Sequence, residues 1–176
     1  NRIMKFTESK QPLARYDYEY REDMLEKYGR IFSPSEIGKY SSKIKNITQR
    51  IMNSNGVVLI YSQYIDGGVL PIALALEELG FSRAGNVKSL LKESSSSKID
   101  ALTMKPRNTG DEPGEEFHPA KYVMITGDKA LSPNSVEDIK LLTSDDNKDG
   151  RKVKVVLISQ AGSEGLDLKF IRQVHV

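Results

Sequence analysis

The sequence predicts an α/β protein built on a mainly parallel sheet, and three observations carry that expectation. Short apolar runs at 57–61, 122–126 and 153–159 have the length and content of strands covered on both faces. Segments with helical hydrophobic spacing stand between them. Turns rich in Gly, Asn and Ser-Pro separate the two kinds of segment, giving the strand–helix alternation from which parallel sheets are made.

Residues 1–30 are charged and rich in Tyr, with one helix expected at 18–28 that stops at Gly29. This part is read as a connector packed outside the domain. Ser33-Pro34-Ser35-Glu36 then combines a hydroxyl cap, a proline at the first helical position and a Glu three residues after the cap. Ile37, Tyr40, Ile44, Ile47 and Ile51 follow as one apolar stripe, and Asn55-Gly56 ends the helix. After the first strand, Asp66-Gly67-Gly68 turns the chain into a Leu- and Ala-rich helix at about 69–79, closed by Gly80. Ser132-Pro133 opens another at about 134–142, and 172–176 reads as a fourth strand. Between Ser82 and Lys121 the periodicity fails, the pattern of an insertion or of disorder. The expected division is therefore a connector with a peripheral helix at 1–32 and a lobe at 33–176. That lobe carries a long polar insertion at about 82–121. The first residue is not Met and the last three read as a strand broken off, so the chain is expected to be a piece truncated at its C-terminus.

Composition excludes more than it selects. A chain of 176 residues with a net charge of +2 gives no bulk electrostatic argument for nucleic acid, though a local basic groove is compatible with it. The absence of cysteine removes disulfides and thiolate metal sites and suits a reducing, intracellular setting. The two histidines are far apart, so no metal site is expected. No apolar run approaches the ~20 residues of a membrane span, so no membrane partner is expected. His118, next to Pro119, is expected at the surface. Lys148, Lys152 and Lys154 are read as a solvated charged loop, with extension of a phosphate groove as the alternative.

The segment with most chemical potential is Ser159-Gln160-Ala161-Gly162-Ser163-Glu164-Gly165-Leu166-Asp167-Leu168. It follows the strongest strand, at the carboxyl edge where parallel sheets bind ligands. Its glycines admit close approach and its carboxylates can accept bonds from ribose hydroxyls. On spacing alone, a tight strand-to-helix turn with self-satisfied polar groups explains it equally well.

Residues 161–168 resemble motif V of superfamily 2 helicases. Ile60-Tyr61-Ser62-Gln63-Tyr64 resembles their motif IV, and Ile125-Thr126-Gly127-Asp128 the motif at the following strand. The three occur in family order at strand ends, and the resemblance runs over 33–176. The Gly-Ser-Glu-Gly-Leu-Asp form is similar to helicases of large nucleocytoplasmic DNA viruses, including those related to the poxvirus early transcription factor. The resemblance implies a three-layer RecA-like lobe of the P-loop NTPase type, the second of two. It implies nucleic-acid contacts at Ser62, Gln63, Thr126, Gly127, Ser159 and Gly162, and nucleotide contacts at Gly165 and Asp167. It also implies ATP and Mg as cofactors of the full-length protein, a DNA or RNA backbone as partner, a first RecA-like lobe elsewhere, and the transcription machinery as a further partner. Its setting would be the virion or the infected host cell.

No catalytic residue is expected within the chain. The phosphate-binding pattern Gly-x-x-x-x-Gly-Lys-Ser/Thr is absent, since Gly38-Lys39 is followed by Tyr40 inside a predicted helix. Asp111-Glu112 lies in a Pro/Gly loop, not after a strand, so it is not read as a magnesium-binding acid. The alternatives are a nucleotide-binding α/β module, for which Asp66-Gly67-Gly68 would be the anion turn, and a catalytically silent protein-interaction scaffold.

Overall fold

The computed structural model describes residues 4–8, 16–85, 87–94, 96–107 and 116–176. Strands β1 (Met4–Glu8) and β2 (Tyr16–Tyr20) pair antiparallel and lead into α1 (Glu22–Tyr28). Helices α2 (Ile37–Tyr40) and α3 (Ser42–Met52) precede β3 (Val57–Ser62), α4 (Leu70–Glu78) and the short β4 (Ser82–Arg83). Then come β5 (Lys121–Ile125), α5 (Ser135–Leu142), β6 (Val155–Ser159) and β7 (Ile171–His175). The second sheet has the order β4-β5-β6-β3-β7, and every neighbouring pair is parallel.

Strand alternation decides the layering. Val58, Ile60, Tyr122, Met124, Val155 and Leu157 pack with Ile47 and Ile51 of α3 and with Ile72 and Leu76 of α4. The alternate residues Val57, Val123, Ile125, Val156 and Ile158 pack with Leu142 and Ile139 of α5. Because strand side chains point to opposite faces with period two, both faces are apolar and both are covered. The result is a three-layer α/β fold of the RecA-like kind.

Local chemistry departs from the sequence reading in several places. Ser33 starts no long helix. Its Oγ lies 3.1 Å from Ser35 Oγ, and Glu36 turns forward to Lys39 at 2.8 Å instead of back to a cap. The helix proper breaks at Ser41, whose extended backbone restarts it as α3 and whose Oγ accepts from the Ile44 amide at 3.1 Å. Residues 16–20 are strand, so the first helix begins only at Glu22. Ser132 does not cap α5. Lys154 is 1% exposed and donates to the Ser54 carbonyl at 2.9 Å, so it is no loop lysine. Burial lowers its pKa below the usual lysine value. His118 is largely covered, its side chain 17% exposed. Asp111-Glu112 lies outside the described residues.

Among the described residues between Ser82 and Lys121 there is little regular structure beyond β4, yet Leu90, Leu91, Ile99, Ala101 and Met104 are buried. Its anchor is a pair of acids at the end of α4. Glu77 accepts from the amides of Leu90 and Leu91 at 2.8 and 2.6 Å and from the Tyr122 hydroxyl at 2.7 Å. Glu78 accepts from the Tyr20 hydroxyl at 2.9 Å and pairs with Arg30 at 2.9 Å. Burial pushes the Glu77 carboxyl above the ordinary range, against the pull of its donors, and raises Tyr122 and Tyr20 as well. The Tyr18 amide donates to the Leu90 carbonyl at 2.7 Å, joining β2 to the same segment.

Glu77→Ala leaves two buried amides and a phenol without an acceptor. It is expected to cost about 3 kcal/mol or more, read as a lowered urea midpoint. Asp138 on α5 is also buried, and burial pushes its carboxyl up to about 6, with Arg83 opposing and Glu137 adding to the rise. A raised acid binds its proton more tightly in the folded chain, so this stability is present at low pH and fades as pH rises from about 4 to 6. Asp138→Asn should therefore exceed the wild type by about 1–2 kcal/mol above pH 6 and match it below about pH 4. Urea midpoints at both pH values check this.

Candidate nucleic-acid interface at the carboxyl ends of the strands

The strand order makes β5, β6 and β3 consecutive, and their registers place Ile125 beside Ile158 and Ser159 beside Ser62. All three strands are parallel, so the turns after them leave from one edge, within roughly 10 Å across three strands. Ser62, Gln63, Thr126, Gly127, Ser159 and Gly162 are thereby brought to a common rim.

Within that rim the residues divide by exposure. Thr126 and Ser159 are buried, at 1% and 2% exposed, and their hydroxyls are engaged internally. Ser159 Oγ donates to the Thr126 carbonyl at 2.7 Å. Thr126 Oγ1 lies 2.6 Å from Ser132 Oγ, which also accepts from the Thr126 amide at 2.9 Å. These groups tie the β5 and β6 turns together instead of facing outward. Ser132 was not singled out in the sequence because Ser-Pro before a helix reads as a cap, and nothing local reveals a partner six residues back.

Two glycines allow the turns to cross. A Cβ on Gly162 would lie 2.0 Å from the Ile125 carbonyl oxygen, and one on Gly127, at φ +74°, would lie 3.0 Å from the Ala161 Cβ. Gly127, Gln63 and Gln160 are exposed, and Ser62 is partly so. Ser62 Oγ donates to the Tyr64 carbonyl at 3.1 Å and accepts from the Tyr64 amide at 3.3 Å, closing a tight turn at the end of β3. At these positions the outward-facing groups are neutral amides and backbone, which suit phosphate contacts without base selection.

After the 3₁₀ turn Gln160–Gly162 the chain runs to β7 without forming a helix, so the strand-to-helix reading of this segment does not hold. Leu166 and Leu168 pack on the α5 side of the sheet, and Asp167 between them is exposed. Gly165 has φ +71°, and nothing lies within 4 Å of where its Cβ would stand. An exposed carboxylate beside bare backbone fits the hydroxyls of a ribose. Gly38-Lys39 lies within the four-residue helix α2. Among the described residues no helix is long and apolar enough to cross a membrane.

The Gly162→Ala chain is expected to show displaced backbone amide resonances at Thr126 and Gly127, because the added methyl meets the β5 carbonyl. Gly165→Ala should leave those resonances in place and cost only about 1 kcal/mol for its left-handed backbone. Amide NMR spectra of the two variants distinguish crowding from conformation.

No protein-family profile and no solved structure matches the chain. Curated viral proteins do. Two termination factor NPH-I homologs of African swine fever virus are 34% and 33% identical over 144 residues, covering 77% of this chain and 20% of each relative. A protein of Acanthamoeba polyphaga mimivirus, provisionally named an ATP-dependent RNA helicase, is 26% identical over 147 residues, 81% of this chain and 20% of that protein. The chain thus spans about a fifth of the length of the relatives it matches, and those relatives are viral proteins named for helicase and termination functions.

Proposed function

We propose that this chain is the second motor lobe of an ATP-dependent superfamily 2 helicase or translocase of viral origin, working in transcription or genome handling in the virion or infected cell. The observation that carries the reading is the shared rim. Three adjacent parallel strands present bare backbone and neutral polar groups at one edge, and the exposed carboxylate of Asp167 follows five residues after Gly162 of the crowded turn. Similarity to viral proteins named as termination factor and helicase supports the same class.

In this reading the Gly127 and Gly162 backbone, Ser62 and Gln63 grip the phosphates of a DNA or RNA strand, while buried Thr126 and Ser159 set the spacing of the turns. Gly165 and Asp167 meet the ribose of ATP held against a first lobe in the full-length protein. ATP with its Mg ion supplies the free-energy difference between open and closed lobes, which is what a change of grip requires. The chain alone is expected not to hydrolyse ATP, since neither a phosphate loop nor an arginine at the transferred phosphate is placed in it.

Asp167→Ala in the full-length protein should reduce nucleic-acid-stimulated ATPase about tenfold or more, the loss of one or two charge-assisted bonds in the closed state. Turnover equal to wild type would remove Asp167 from the nucleotide site. Strand capture independent of ATP, with no ATPase, would favour the nucleotide-binding module or the silent scaffold.

A further inference from the structure

Beside the rim, between the start of α3 and the end of β3, lies a cleft of about 400 Å³. Ile44, Ile47, Ile60, Ile72 and Val176 form its apolar lining, and Lys43, Ser62 and Gln63 stand on its polar side. Tyr64 borders it with 67% of its surface exposed, the most exposed aromatic side chain among the described residues. Tyr28 and Tyr40 are also exposed, at 36% and 45%, so Tyr64 is set apart by the degree of its exposure and by its place beside an apolar cleft.

The Tyr64 backbone is held from both directions. Its amide and carbonyl each meet Ser62 Oγ, and its carbonyl also accepts from the Val69 amide at 3.1 Å, the opening bond of a π-helical turn at Ile65–Val69. Gly68 clamps that turn onto the strand end, since a Cβ there would lie 1.9 Å from Ser62 Oγ. Such turns inside helices recur at functional sites. The ring therefore projects from a fixed base, so a partner stacking on it does not have to order the backbone first. Lys43, in the first turn of α3, is the one charged side chain among the residues that line the cleft.

We propose that this cleft receives one unstacked nucleobase of a bound single strand, with the Tyr64 ring as its stacking surface and Lys43 meeting the adjoining phosphate. The inference rests on the nucleic-acid reading of the rim, because Ser62 and Gln63 belong to both. Its volume falls in the range of small-ligand sites. Its mix of apolar lining, one exposed ring and one cation is what sequence-tolerant base stacking uses.

The test uses the full-length protein and a single-stranded oligonucleotide, made as DNA and as RNA, with 2-aminopurine placed at successive positions. Binding should quench the fluorophore at one position. Tyr64→Phe should keep that quenching; Tyr64→Ala should lose it and weaken binding about tenfold. An abasic nucleotide at the same position should bring the wild type down to the Tyr64→Ala affinity. An effect confined to DNA or to RNA supports the site and names the strand. Unchanged quenching and affinity for Tyr64→Ala on both strands overturn the base site while leaving the rim reading standing. If the wild type binds neither strand, the rim reading falls and this inference with it.

Discussion

Two adjacent carboxylates at the end of α4 hold the architecture in place. A buried carboxylate is tolerated only when donors surround it. Glu77 finds its donors in a strand tyrosine and two loop amides, and Glu78 finds its own in Arg30 and Tyr20. Together they fix the N-terminal hairpin, the irregular segment after β4 and the underside of β5 against one helix. Hydroxyls of Ser94 and Ser96 add bonds to the carbonyls of the same two residues. The sheet edge at β4 is only two residues wide, and without this polar anchor little would position it.

The parallel sheet and its three layers were legible because burial on both faces leaves near-continuous apolar runs, and the runs at 57–61, 122–126 and 153–159 hold most of β3, most of β5 and all of β6, with Thr126, Val153 and Lys154 outside the strands. Long-range polar pairing leaves no such trace. Glu77 and Glu78 look in sequence like the solvated end of a helix, and the buried residues 90, 91, 99 and 101 are too scattered to show a period. The capping signal at Ser33 failed for a related reason. Its residues were competent for a cap, but Ser41 supplied the extended backbone and the free hydroxyl at the point where the chain actually turns into α3.

At the rim, spacing located the turns but not the division of labour within them. Thr126 and Ser159 carry hydroxyls of the kind a phosphate contact needs, and the fold uses both to join neighbouring turns. Exposure is left to glycine backbone and to amides. Contacts through neutral groups hold a strand less tightly than a row of cations would, which suits a grip that has to be released.

The π-helical turn at Ile65–Val69 has a wider consequence, because it sets the phase of everything after it in α4. Each residue in a helix advances the face by about 100°. Deleting a single residue from this turn would swing the Ile72–Leu76 stripe off the sheet and carry the two terminal acids away from their donors. A local widening beside Tyr64 thus governs the rotational setting of contacts that lie a whole helix away.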